Sequence, residues 1–453
     1  MKSSELTPSF DNLFNSFHKD TIGRDRDIWD FCKILNSIEG HFSIAIDGSW
    51  GSGKTFFVKQ TKLVLDALNP NIVTEDSSQR ESILRTCDSL SNGHHMELQP
   101  QVCVYYDAWK NDNDVDPILS LVYSILSEAD TDFHFSSESK IFSFATAIAE
   151  CVTGRNIKAV FDSTKTSSIF DRIHSDKSLE SEISAFLDSL LPEKGQRLVV
   201  FVDELDRCKP TYAIQVLERI KHYFCNDRIT FVFSINAKEL EHTIGKYYGT
   251  DFDSGRYLDR FFDLRIALPK PNMDAFYQSI AFSDSRYWYD MICRAFIDTY
   301  HLSMREISRY ISATKLVNPN NKSYYYSAGY AGQAMMTMLP IMIGLKLLNA
   351  SLFESFVSGH NSKPLLDVAK GVPTRCYDFL LSSKEVYEGD KAPDAKTVIR
   401  LEDRLNEYYQ AIFSESHTER NYEDIQIGKT IIEYSTISAL KHAASGLEYL
   451  ENA

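Results

Sequence analysis

A chain of 453 residues with 48 Lys and Arg against 63 Asp and Glu carries a net charge of −15. That length accommodates two or three units with sizeable cores, and the composition is that of a globular protein, not a disordered or fibrous one. The acidic balance argues against the whole chain coating nucleic acid, though a local basic groove, and with it a nucleic-acid partner, stays open.

The N-terminal stretch MKSSELTPSFDNLF lacks the apolar core of a signal peptide. The eight cysteines (32, 87, 103, 151, 208, 225, 293 and 376) are scattered, with no CxxC pair and no Cys/His cluster, so neither a zinc site nor a disulfide framework is indicated. Reduced thiols and a cytoplasmic location are expected.

Through the first 270 residues, short apolar runs rich in β-branched residues alternate with helical spacings, the pattern of a parallel sheet built from strand-helix-strand units. The predicted strands are 42–47 (FSIAID), 101–107 (QVCVYYD), 197–203 (RLVVFVD), 228–235 (RITFVFSI) and 261–268 (FFDLRIAL). None alternates strictly, as expected of strands covered on both faces. Between them, KTFFVKQTKLVLDAL and TYAIQVLERIKHYF space their apolar residues as helices do. Residues 128–195 break the rhythm and read as an insertion between two core strands. Pro269 and Pro271 then close the sheet region, and everything beyond reads as helices, among them DAFYQSIAF, MREISRYISATKL and EDRLNEYYQAIF. The expected fold is therefore α/β over 1–272, a parallel sheet with helices on both faces, followed by a helical domain over 273–453. Residues 323–345 carry no charge over a length that could cross a bilayer. Their first half is rich in Tyr, Ser, Gly and Gln, and the apolar stretch from Ala334 is interrupted by Pro340, so a buried helix is expected and no membrane segment.

In AIDGSWGSGKTFFVK, Gly48 is followed by four residues and then Gly53, Lys54 and Thr55, between a predicted strand and a predicted helix. The spacing GxxxxGK[ST] lets glycines fold the backbone into a ring of N–H groups around phosphate oxygens, backed by the positive end of the next helix. Gly48, Ser49, Trp50, Gly51, Ser52, Gly53, Lys54, Thr55 and Phe56 are the candidate binding residues. Lys54 would reach the β and γ phosphates, and the Thr55 hydroxyl would bind the accompanying magnesium ion.

LVVFVDELDRCKP (198–210) runs five apolar residues into Asp203, Glu204, Asp206 and Arg207. Ligands bind beyond the carboxyl ends of parallel strands. Asp203 is therefore the expected metal-facing carboxylate, and Glu204 the expected general base toward a water in line with the γ phosphate. Asp206 and Arg207 could as well form a helix cap or a local ion pair. In P-loop ATPases with an extra strand between the loop strand and the acidic strand, the end of that strand carries a residue that senses the γ phosphate. Asn236 fits by type, with Ser234 as alternative; Asn236 could equally cap the helix that follows.

With these positions fixed, the chain resembles the KAP family of P-loop NTPases, a branch of the additional-strand ATPases related to AAA+ and STAND proteins. The likeness rests on DTIGRDRDIWDF (20–31), on YYDAWKNDNDVDPILSLVYSI (105–125) with Asp107 where Asn is frequent, and on VVFVDELDRCKP with Glu204 for the second Asp. SGRYLDRFFDLRIALPKP and LSMREISRY extend it, so that it covers about 15–350. Many members carry transmembrane helices between the two nucleotide motifs; the longest charge-free run of the insertion, IFSFATAIA (141–149), is too short to span. The resemblance implies that Arg260 in YLDRFF supplies an arginine finger to a neighbouring subunit, although it could instead pair with Asp259 or Asp263. Arg305 is similar in place to a second sensor arginine. It further implies an ATPase that binds and hydrolyses ATP with Mg²⁺ as a homo-oligomeric switch or motor subunit in bacterial anti-phage defence, with an effector protein encoded nearby. The alternatives are a nucleic-acid-dependent ATPase, or an ATP-binding scaffold with little turnover, against which Glu204 argues.

Overall fold

A computed structural model describes residues 7–72, 77–91, 98–114, 116–130, 184–185, 188, 191–192, 195–224, 226–249, 251–282, 288–317, 329–388, 397–414 and 424–446. Most of the expected insertion, including 141–149, lies outside the described residues. The chain divides into two compact units, Leu6–Phe276 and Tyr277–Ala453.

In chain order the first unit comprises α1 (Phe10–Lys19), α2 (Asp25–Asn36), β1 (Phe42–Asp47), α3 (Lys54–Leu68), α4 (Ser77–Leu90), β2 (Gln101–Asp107), α5 (Pro117–Asp130) and β3 (Arg197–Asp203). It continues with α6 (Pro210–Tyr223), β4 (Ile229–Ile235), α7 (Ala237–Tyr248), α8 (Ser254–Leu258) and β5 (Leu264–Ala267), and ends within α9 (Met273–Ser279). The five strands form one parallel sheet in the order β2-β3-β4-β1-β5. Thus β4 lies between β1, which carries the glycine-rich loop, and β3, which carries the acidic run.

Alternate residues of β3 enter different cores. Leu198, Val200 and Val202 pack with Ile118 and Leu121 of α5 and with Val216 and Ile220 of α6. Val199 and Phe201 pack on the opposite face with Phe17, Trp29 and Phe57 of α1, α2 and α3. With both faces covered, both alternating sets must be apolar, which is why the strands read as continuous runs. Each such side chain contributes roughly 1.5–3 kcal/mol on burial. β5 departs from the expectation. It has only four residues, lies at the sheet edge and leaves Leu264 exposed. Phe261 and Phe262, read as its beginning, instead pack sideways, Phe262 edge-on against Phe233 and Phe261 against Tyr257.

The second unit contains α10 (Trp288–Tyr300), α11 (Met304–Val317), α12 (Gly329–Leu348), α13 (Ala350–Val357), α14 (Lys363–Ala369), α15 (Leu401–Phe413) and α16 (Tyr434–Gly446). It is not wholly helical as expected: β6 (Glu385–Tyr387) pairs with β7 (Thr397–Ile399), and β8 (Ile425–Ile427) with β9 (Thr430–Ile432). Three-residue strands are too short to leave a period in the sequence. The apolar stretch from Ala334 is the buried helix α12, whose Pro340 carbonyl also accepts from the Tyr310 hydroxyl at 3.1 Å. Among the described residues, no helix is long and apolar enough to cross a membrane.

Candidate nucleotide site

The loop between β1 and α3 is shaped by its glycines. Gly51 and Gly53 have φ of 76° and 90°, the left-handed region that a side chain disfavours. At Gly48, a Cβ would stand 2.8 Å from Ser52 Oγ. The Gly48 N–H donates to the Ile235 carbonyl at 3.1 Å, tying the loop to β4, and Ser52 Oγ closes it by donating to the Ser49 carbonyl at 2.7 Å. Lys54 opens α3 and is buried, and its ammonium curls back to donate to the carbonyls of Gly48 (2.7 Å) and Ser49 (3.3 Å). Burial pushes its pKa down, while Asp206, Asp203 and Glu204 pull it up. Thr55 is half-buried in the first turn of α3, and Phe56 is buried beneath it.

The register sets Asp107, Asp203 and Ser234 side by side at the carboxyl edge of the sheet. Asp203 is 1% exposed. It accepts from the Tyr105 hydroxyl at 2.9 Å and from the Glu204 N–H at 3.0 Å. Glu204 has φ 60°, uncommon for a residue with a side chain and costly enough to be found mainly where a site demands it. Its carboxylate forms an ion pair with Arg207, whose guanidinium lies 5.5 Å from the centre of the Trp109 ring. Burial and the neighbouring Asp203 push the Glu204 pKa up, against the pull of Arg207. The open question of Arg207 thus resolves to a local ion pair with the adjacent acid.

Asp206 sits in the short 3₁₀ turn Leu205–Arg207, 6% exposed. Its Oδ2 accepts from the Trp50 indole at 2.6 Å, and the Asn236 backbone N–H also supports it. Asn236 caps α7, its side chain accepting from the Glu239 N–H at 3.4 Å. Two buried oxygens of this edge, Asp206 Oδ1 and Ser234 Oγ, have no hydrogen-bond partner among the described residues. All the available donors are hard oxygens, which suits Mg²⁺. Among the described residues no group of three His, Cys, Asp or Glu could hold a metal ion unaided. The residues fit an ion held by one or two carboxylates and shared with nucleotide phosphates.

Arg260 is not part of this cluster. It precedes Asp263, whose N–H donates to the Ser43 carbonyl at the amino end of β1, whereas the loop leaves β1 at its carboxyl end. At about 3.3 Å per residue, the length of β1 separates the two edges. The expected pairings of Arg260 do not form: Asp259 pairs with Arg265, and Asp263 accepts from the Ser43 N–H. Arg260 is exposed and helps line a cavity of about 220 Å³ with His41, Lys221 and Phe233. Arg305 is exposed in the first turn of α11, in the second unit.

Two contributors, Arg24 and Tyr105, were not singled out from the sequence, and Trp50 was named only as part of the loop. Arg24, 3% exposed, donates to the Ser52 carbonyl at 3.1 Å and supports the loop from α2; burial lowers its pKa to about 10. Tyr105 orients Asp203, and Trp50 reaches Asp206. Arg24 and Tyr105 lie in the two segments of family likeness, which was the available signal; the Trp50 contact joins residues 156 apart and left none.

This strand order, with a phosphate loop on β1 and an acidic end on β3 across one intervening strand, defines a P-loop NTPase domain of the additional-strand type. The chain can be placed more closely. The model of the KAP family P-loop domain matches residues 28–319, well over half of the 453, and the chain belongs to that family. No curated protein matches it.

Proposed function

We propose that the chain is a Mg²⁺-dependent ATPase whose nucleotide site lies at the carboxyl edge of the sheet. The observation that carries this is the sheet register: the Gly48 N–H donates to Ile235 of β4, whose neighbour Ser234 stands beside Asp203, so that the loop with Lys54 and the acidic turn, about 150 residues apart in the chain, meet at one edge. Lys54 exchanges the carbonyls of Gly48 and Ser49 for the β and γ phosphates, and the backbone N–H groups of Gly48, Ser49, Trp50, Gly51, Ser52, Gly53, Lys54, Thr55 and Phe56 surround them. Thr55 and Asp203 hold the metal ion, with Tyr105 keeping Asp203 aimed. When bound, that ion neutralises charge on the phosphate oxygens.

Glu204 takes a proton from the attacking water as the hydroxide oxygen bonds to the γ phosphorus and the bond to the β-phosphate oxygen breaks. Its raised pKa makes it a better proton acceptor near neutrality. Asn236, fixed at the start of α7, senses the γ phosphate, with Ser234 as the alternative. Arg260 stands at the opposite edge, so it serves a neighbouring copy if it acts as a finger. We extend the reading to an oligomeric switch or motor subunit in bacterial cytoplasm, working in anti-phage defence with an effector encoded nearby; this part rests on family likeness alone.

Phosphate release from purified protein with ATP and Mg²⁺ tests the core of the reading. Glu204→Gln should stop release and keep nucleotide binding, and unchanged turnover would remove Glu204 from its role. A site that binds ATP but releases no phosphate in any oligomeric state would make the chain a scaffold. Stimulation by DNA or RNA would make it a nucleic-acid-dependent ATPase.

A further inference from the structure

Trp50 stands at the tip of the phosphate loop, 47% exposed, yet its indole donates at 2.6 Å to a carboxylate that is almost fully buried. Burying a carboxylate is costly unless donors compensate. Asp206 Oδ2 has the Trp50 indole, whereas Oδ1 has no partner among the described residues. An acid kept at such a position needs a task. Its charge is felt at Lys54, but the hydrogen bond its side chain accepts comes from the loop's tip.

The loop is anchored at its base by Gly48 to Ile235 and at its far side by Arg24 to Ser52. Gly51 lies between these anchors and Gly53 just beyond them, both in the left-handed region and both with the greatest backbone freedom to lose. Trp50 is the anchor at the tip. We propose that Asp206 is a positioning residue acting through Trp50: their hydrogen bond pins the tip of the phosphate loop to the acidic turn, so that the cradle is shaped before nucleotide arrives. The ordering cost of the loop is then met in the folded protein and not at the moment of binding. The inference rests on the nucleotide-site reading above.

The full chain without nucleotide gives the direct test. Acrylamide quenching of Trp50, isolated as the difference between the wild type and Trp50→Phe, should increase on Asp206→Ala. It should stay near the wild type on Asp206→Asn, which keeps an acceptor oxygen. Equal quenching in the wild type and Asp206→Ala would overturn the proposal. In titrations with a fluorescent ATP analogue and Mg²⁺, Trp50→Phe and Asp206→Ala should each weaken affinity roughly ten- to a hundredfold, the scale of one hydrogen bond to a charged group. The double variant should be no weaker than the poorer single one, because both remove the same bond. Additive losses would overturn the idea, as would unchanged affinity with turnover lost at saturating ATP, the mark of a reacting group. If Asp206→Ala fails to fold, Trp50→Phe and Asp206→Asn carry the same contrast. A wild type that binds no nucleotide, or a Lys54→Ala variant that binds as well as it does, would sink the nucleotide-site reading, while quenching would still decide whether the pin exists.

Discussion

The two edges of the parallel sheet are built from the same five strands and differ in what becomes of one exposed cation. At the carboxyl edge almost every charge has a partner within the edge: Lys54 on loop carbonyls, Glu204 on Arg207, Asp203 on Tyr105, Asp206 on Trp50. At the amino edge, Arg260 is exposed beside a cavity, and His41 Nε2 is buried there with no partner among the described residues. The first edge can assemble a phosphate site from one chain. The second presents a cation that no described residue engages, and that asymmetry is what an arginine serving another copy would leave in a single chain.

The hardest blow to this contrast is Lys54→Ala. It removes the cation around which three carboxylates are arranged, and nucleotide affinity should fall by on the order of a hundredfold or more, the scale of two charge-assisted hydrogen bonds. Near-normal binding by isothermal titration calorimetry would mean that the carboxyl edge is only a packed strand end. Glu204→Gln should act differently, cutting phosphate release by about 10²–10⁴-fold, the usual contribution of a general base, with affinity kept. Below the raised pKa of Glu204 the carboxylate is protonated and cannot accept from water. Turnover at saturating ATP should therefore rise with pH through that value, and a pH-independent rate would count against the role.

Most of the carboxyl edge was legible beforehand because its parts are local. Residues 42–47, 101–107 and 197–203 are strands with the boundaries read from their apolar runs, and GxxxxGK[ST] is a backbone requirement written in eight consecutive residues. What was missed depends on partners far along the chain. Trp50 meets Asp206 only across β4, Tyr105 meets Asp203 only once β2 has paired with β3, and Arg24 meets Ser52 only in the folded domain. β5 was read too long because Phe261 and Phe262 are apolar for side packing rather than for strand pairing. The small sheets of the second unit escaped because three residues hold no periodicity.

Arg260→Ala sharpens the comparison from the other side. If the amino edge serves a second copy, specific activity should rise with protein concentration in the wild type and become flat in the variant, with affinity for nucleotide unchanged. A parallel loss of activity at every concentration would mean that Arg260 supports its own subunit's structure instead. Asp259→Ala is the companion control: it breaks the pair with Arg265 without touching the Arg260 guanidinium and should leave the concentration dependence intact.

The smallest effect concerns how the carboxyl edge is held up. Arg24 supports the loop from the start of α2, and the next residue, Asp25, is buried beside Asp20; burial first, and the Asp20 charge second, raise its pKa to about 9. A carboxyl raised in the folded state favours folding fully below its unfolded pKa of about 4 and loses that contribution as pH rises toward the folded value. In this respect the domain should be less stable at pH 8 than at pH 5. Asp25→Asn imitates the protonated form and should flatten that part of the profile, melting higher than the wild type at pH 8 and no higher at pH 5. Nucleotide affinity should hardly move, because Arg24 and not Asp25 touches the loop. A wild-type melting temperature that does not fall between those two pH values would mean that Asp25 is ionised in the folded domain.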